Sequence, residues 1–277
     1  MGIEKKIKII EASCYFHVSG VHILSIRYGY RLKYFTQVPR LYLGVVATSK
    51  GLVVGNFQFT NEDGVIVDCS LALGGESIPQ NIPDLDSVVD PGVEFLLVVE
   101  KDAVFQRLLE EDVFGQELLA RAVLVTGKGM PDIATRQLVT HLAGRGLQVL
   151  VLTDCDPYGL EIFMTYKFGS LSSCWSQEPL AAPSSLWLGV HPQDMLDLGF
   201  PRTRLRPHSV ADKKRILDFN RRVYVQADPQ LRQSIDLMWN LGGKTEIQQV
   251  FEEREPGFLV ESYLPMKMAQ LGFGELV

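Results

Sequence analysis

The chain has no apolar run of the ~18–20 residues that a membrane-crossing helix needs. Its opening residues, MGIEKKIKII, carry no long apolar stretch followed by small-residue cleavage chemistry. The reading is therefore intracellular, with no membrane partner. The four cysteines, Cys14, Cys69, Cys155 and Cys174, are too scattered to show the paired spacing of a zinc site or a disulfide framework, so isolated, reduced thiols are expected. No internal repeat or low-complexity tract is visible. Positive charge is also short: a formal net charge of -6 argues against a protein that coats nucleic acid through bulk charge.

What is present is a chain of 277 residues, 46% hydrophobic, enough for one large core or a smaller domain joined to a larger one. Charge is unevenly spread. Residues 202–222 carry Arg202, Arg204, Arg206, Lys213, Lys214, Arg215, Arg221 and Arg222 against Asp212 and Asp218. A solvated surface and a phosphate-binding patch account for that run equally well.

Residues 1–40 show no clean period of 2 or 3.6, and only a helix over 3–13 is read there. From Leu41, LYLGVVA, GLVVGNFQF, a turn at Asn61 to Gly64 and VIVDCSLAL read as short strands of a small β-rich unit. The stretch GGESIPQNIPDLDSVVDPG reads as a linker, with a domain boundary near residue 90. Beyond it the rhythm is strand, helix, strand, helix. FLLVVE, AVLVTGKG and LQVLVLTD are strands, followed in turn by helices in DAVFQRLLEEDV, in PDIATRQLVTHLAGRG opened by Pro131 and in PYGLEIFMTYKFG, and LWLGVHPQDMLDLG supplies a fourth strand and short helix. Strands apolar throughout and alternating with helices predict an α/β fold, a parallel sheet covered on both faces.

In such a sheet functional groups collect at the carboxyl ends of the strands. Glu100 ends the first strand, and Asp154 and Asp156 end the third. Residues i and i+2 of a strand point to one side, so the two aspartates converge if the strand direction persists through Cys155. Like charges held together call for a cation or a proton, and hard oxygen donors suit Mg²⁺. Asp156, just ahead of Pro157, is also well placed to cap the next helix. Trp175, Trp187 and Trp239 read as core or interface residues. His141, His191 and His208 have no carboxylate or cysteine companions in sequence, and no role is assigned to them.

Glu at the end of a first strand with D-x-D at the end of a later one resembles the Toprim domain of topoisomerases, primases and related nucleases. VEKDAVFQRLL, TGKGMPDIATRQL, DCDPYGLEIFMTYKFGS, LWLGVHPQDM and SYLPMKM look like successive motifs of the meiotic double-strand-break transesterases, which belong with the A-type chains of topoisomerase VI. Upstream, ATSKGLVVGN resembles the end of the winged-helix domain that precedes Toprim in that family, so the likeness covers 41–277.

The resemblance implies a Toprim-type parallel sheet preceded by a small, incomplete winged-helix-like unit: 1–40 poorly determined, 41–90 remnant and linker, 91–277 Toprim domain with a C-terminal extension. It implies a type IIB-like topoisomerase activity in which a tyrosine hydroxyl attacks a DNA phosphate. Glu100, Asp154 and Asp156 are then the Mg²⁺ ligands. Lys128 and Lys167 are candidate DNA contacts, as is Lys101, and the turn GKG at 127–129 is either a phosphate cradle or a simple strand-to-helix turn. A homodimer on double-stranded DNA, a topoisomerase VI B-like partner, meiotic recombination and a nuclear location are implied in the same way. The departure is the nucleophile. The family's Tyr-Tyr pair in an arginine-containing context is missing among Tyr15, Tyr28, Tyr30, Tyr34 and Tyr42. Either residues 1–40 stem from a wrong start or retained intron, or the chain is a DNA- or partner-binding relative that does not cleave.

Overall fold

The computed structural model of the chain describes residues 49–61, 63–80, 82, 85–170, 180–252 and 254–273. The helix read over 3–13, the strand read at 41–47, the five upstream tyrosines, Trp175, Cys14 and Cys174 lie outside these residues.

A six-stranded sheet has four parallel strands at its centre and one end. In spatial order they are β7 (Ala122–Thr126), β6 (Phe95–Val99), β8 (Gln148–Leu152) and β9 (Leu186–Gly189). Beyond β7 the sheet continues antiparallel through β1 (Leu52–Val54) to β4 (Glu76–Ser77). All five residues of β6 are buried, as are all five of β7, because helices cover both faces. Strand alternation divides β6 between them. Phe95, Leu97 and Val99 pack with Val104, Phe105 and Leu108 of α1 (Asp102–Glu110). Leu96 and Val98 pack with Leu138 of α2 (Ile133–Gly144) and with Leu160 and Met164 of α3 (Pro157–Phe168). Each such buried side chain contributes about 1.5–3 kcal/mol relative to exposure, so a single charge in this strand would stop the sheet from closing.

Helix starts follow local chemistry. Asp156 caps α3, its Oδ1 accepting from Gly159 N at 2.6 Å with Pro157 in the first turn, as expected. Pro131 does not open α2. Asp132 is the cap, accepting from Thr135 N at 2.7 Å, and so the helix begins one residue after it.

The small β-rich unit is a three-stranded antiparallel sheet with β2 (Phe57–Thr60) between β3 (Ile66–Asp68) and β5 (Ser87–Val89). The run GLVVGNFQF divides into β1 and β2 at Gly55, whose φ of +126° and whose closeness to the Ala122 carbonyl leave no room for a side chain. Strand β1 joins β7, so residues on both sides of position 90 share the large sheet. The stretch read as a linker is a packed part of the fold: it supplies β4 and β5 and buries Ile78 and Ile82. Gly74, Gly75, Pro91 and Gly92 lie in turns beside short strands, which composition alone does not distinguish from a free tether.

After β9 come α4 (Pro192–Asp197), a two-stranded ribbon of β10 (Arg206–Pro207) and β11 (Gly243–Lys244), and the helices α5 (Val210–Phe219), α6 (Val223–Gln226) and α7 (Pro229–Leu241). The chain then runs through α8 (Ile247–Phe251) and a π-helical turn, Leu259–Tyr263, into α9 (Leu264–Gln270). Trp187 is buried against Phe163, whereas Trp239 is half exposed on α7 and is not a core residue. No helix among the described residues is long and apolar enough to cross a membrane.

Candidate metal centre

The parallel register pairs Val99 with Leu152, so the residues that follow β6 and β8 emerge level at the carboxyl edge of the sheet. Glu100 and Asp154 both lie there, 5% and 4% exposed. Glu100 Oε2 accepts from Asp154 N at 2.9 Å, and Asp154 Oδ1 accepts from Ile247 N at 2.9 Å. With Gly159 N on Asp156 Oδ1, each of the three carboxylates has one oxygen aimed by a backbone N–H. Hydrogen bonds of this sort orient ligands before an ion arrives.

Strand β8 ends at Leu152, Thr153 still exchanges hydrogen bonds with Gly189 and Val190, and Cys155 bridges Thr245 across the edge. Asp156 then turns toward α3 as its cap, so the two aspartates do not converge as a simple i, i+2 pair. Among the described residues no three His, Cys, Asp or Glu side chains come together closely enough to hold one ion between them as arranged. The electrostatics nevertheless join them. Burial, and then the charge of Asp154, push the Glu100 carboxyl up to about 8, with Asp156 adding to the rise. Burial also raises Asp154, outweighing the ammonium beside it.

Three carboxylates in this neighbourhood face too little positive charge. Mg²⁺ is the cation such donors fit: it takes one or two carboxylate oxygens, keeps waters and accepts phosphate oxygens for the rest. Glu100 and Asp154, oriented and buried, meet that requirement, with Asp156 at the rim.

The nearest cation is Lys101. Its Nζ lies 2.7 Å from Asp154 Oδ2 and 2.8 Å from Glu246 Oε2, and Arg206 holds the other oxygen of Glu246 at 2.8 Å. Burial disfavours the Lys101 ammonium, yet its bonds to Asp154 and then Glu246 raise its pKa overall. The same contact, foremost, lowers Glu246. Lys128 lies on this edge too, in the turn between β7 and α2, where it takes a left-handed φ of +51° and pairs with Asp102 at 3.2 Å. Gly129 N donates to Glu100 O at 2.7 Å, so GKG is a built turn that fastens the first strand's end to the second's.

Lys167 is elsewhere. It sits in the last turn of α3, about 16 Å of helix from Asp156, bonded to the Ser185 carbonyl and lining a cavity of about 230 Å³ with Trp187 and His191. Lys128 is thus on the same edge as the carboxylates, with its ammonium on Asp102, whereas Lys167 is at the far end of α3.

Two contributors escaped sequence reasoning. Gly159 lets α3 approach: a Cβ there would stand 2.5 Å from Asp154 O and 3.0 Å from Glu100 Oε2. Glu246 arrives from 92 residues beyond Asp154. Its only local signal is the Glu-x-x-Gln spacing of a capping box, which α8 does form, and which says nothing about a distant strand.

Residues 95–268 match the Toprim domain of the family that unites Spo11 with the A-type chain of topoisomerase 6. The chain belongs to this family. It is 36% identical over 233 residues to the meiotic recombination protein SPO11 of Mus musculus, covering 84% of this chain and 58% of that protein. Over 229 residues it is 35% identical to the meiotic recombination protein W68 of Drosophila melanogaster, covering 82% and 66%. Against the A-type chain of DNA topoisomerase 6 from Arabidopsis thaliana it is 34% identical over 232 residues, covering 82% and 52%. The chain thus spans between half and two thirds of the length of these relatives. The mostly parallel sheet with helices on both faces is the Toprim-type architecture expected of the family.

Proposed function

We propose that this chain supplies the Mg²⁺-binding half of a type IIB-like, topoisomerase VI A-related transesterase that cuts double-stranded DNA in meiotic recombination. The supporting observation is the pair Glu100 and Asp154: buried, level at the strand ends, each aimed by a backbone N–H and short of positive charge. Asp156 completes the proposed ligand set from the head of α3. When bound, the ion stabilises the charge that develops on a phosphate under attack. The protein's own groups hold the ligand oxygens in place, and Lys128 offers a cation to the DNA backbone on the same edge. Lys167 is retained as a contact only for DNA that extends past α3. In this reading 91–277 works as the Toprim module, 41–90 belongs to a winged-helix-like unit, and two copies act on one duplex in the nucleus. A B-like chain is the expected partner for coupling to ATP.

The test is calorimetry of Mg²⁺ on the full chain and on Asp154→Ala, followed by incubation with end-labelled duplex DNA. Loss of the Asp154 carboxylate, both oxygens of a proposed ligand, should abolish measurable metal binding with the circular dichroism unchanged. Equal affinity in the two proteins removes the metal assignment. Label transferred covalently to protein supports the transesterase. Retention of DNA with no covalent link makes the non-cleaving binding module the better reading, in keeping with the unmatched tyrosine context.

A further inference from the structure

Asp154 is the most constrained carboxylate of the centre, and the constraint is shared unequally. Its Oδ1 is held by a backbone N–H that cannot leave, whereas its Oδ2 is held by a flexible side chain, that of Lys101. Lys101 is also bound at the same distance, within 0.1 Å, to Glu246 Oε2, and reaches Gln248 Oε1 at 3.4 Å. Its side chain is 25% exposed, against 5% for Asp154, so the ammonium stands between the buried acid and solvent. Glu246 is itself pinned from outside by Arg206, at 37% exposure.

We infer that Lys101 is a positioning residue, a displaceable counter-ion that competes with the divalent metal for Asp154 Oδ2 and, once displaced, is retained by Glu246 at the mouth of the site facing the DNA phosphate. This inference rests on the metal reading above and adds a residue pair to it. Two cations cannot both sit against one carboxylate oxygen at ~2–3 Å without strong repulsion. With Glu246 and Gln248 as a second docking point, the ammonium moves a short way rather than into bulk water. A phosphate arriving at the rim then meets both cations. Metal and DNA should therefore each strengthen the other's binding, a coupling that is reciprocal by thermodynamic necessity.

The experiment is Mn²⁺ binding to the full chain by electron paramagnetic resonance, without DNA, for the wild type and for Lys101→Met, Lys101→Arg, Glu246→Gln and Asp154→Ala. Lys101→Met should bind Mn²⁺ on the order of tenfold more tightly, since a competing charge is gone. Lys101→Arg, which keeps that charge, should remain within about threefold of the wild type, a rescue that a merely structural role would not follow. Glu246→Gln, which removes the second docking point, should bind Mn²⁺ more weakly. The coupling to duplex DNA, read as the ratio of Mn²⁺ affinities with and without it, should shrink in Lys101→Met. Mn²⁺ affinity unchanged or weakened in Lys101→Met, while Asp154→Ala abolishes binding, overturns the role of Lys101 and leaves the metal site standing. No Mn²⁺ binding by any of these proteins overturns both.

Discussion

Two buried aspartates in this fold each pair with a lysine at nearly the same distance, Asp154 with Lys101 at 2.7 Å and Asp194 with Lys267 at 2.8 Å. Their surroundings differ. Asp194 follows β9, and its second oxygen accepts from His191 N and from the Tyr263 hydroxyl, each at 2.7 Å. One negative charge meets one positive charge, and both oxygens are filled by groups that anchor α9 and the π turn to the edge of the sheet. Asp154 shares its single lysine with Glu246 and stands beside Glu100 and Asp156. A buried carboxylate is structural when its charge and lone pairs are all answered; it is a candidate for function when the answer is incomplete.

The largest expected effect tests the complete site. Lys267→Met leaves the Asp194 charge buried beside a neutral chain, which costs about 3–5 kcal/mol of unfolding free energy. Urea denaturation measures it, and Mn²⁺ affinity should not move. Lys101→Met should cost well under half as much, because metal or water reaches Asp154 at the edge. Equal losses in the two variants would erase the distinction between the sites.

Next in size is pH. Burial, followed by the Lys267 charge, pushes the His191 ring down to about 4, with Asp194 pulling the other way. The ring is neutral in the fold, its Nε2 bonded to the Trp187 carbonyl at 2.8 Å. Because the unfolded chain takes up this proton first, at a pKa of about 6.5, stability should fall as pH drops from 6.5 toward 4, by up to about 3 kcal/mol in all. His191→Gln should flatten that slope, whatever it does to the absolute stability. Glu100 gives the opposite sign. Its folded pKa of about 8 lies above the unfolded value of 4.5, so stability is greatest below 4.5 and declines as pH rises through 8. Glu100→Gln should remove the alkaline decline, measured by chemical denaturation at fixed salt with a chelator present. A stability curve for Glu100→Gln that parallels the wild type between pH 5 and 8 would show that Glu100 titrates normally.

These contrasts mark what sequence could show. The apolar runs of β6, β7 and β8 announced a buried parallel sheet, and the acids at their ends were visible because strand-end placement is a local property. The capping of α3 by Asp156 was legible for the same reason. Glu246 and Ile247 were not, since the contact that brings them to Asp154 depends on how the chain returns after α7. The pairing of β1 with β7 was equally hidden: LVV reads as a strand, but nothing in three residues names the neighbour. Nor does an aspartate in DML announce that Asp194 will hold Tyr263 and Lys267, some 70 residues on.

The smallest effect extends the same reckoning to the basic run. Arg215 and Arg222 both bond Glu161, Arg206 bonds Glu246, and Arg221 bonds Asp218, so much of the positive charge between 202 and 222 is already answered within the protein. Lys213 and Lys214 are exposed on α5. Binding of duplex DNA should weaken with salt, but with a log–log slope set by a few contacts, each worth about -0.9, rather than by all eight basic residues of the run. Fluorescence anisotropy over a salt series measures it. Lys213→Gln with Lys214→Gln should lower the slope by about 2 if α5 faces the duplex. Arg215→Gln should change it by less than 1 and instead loosen α5 from α3. A wild-type slope that the Lys213→Gln, Lys214→Gln double change leaves unaltered would mean that the run faces away from DNA, and a flat salt profile in the wild type would mean that the chain makes no phosphate contacts at all.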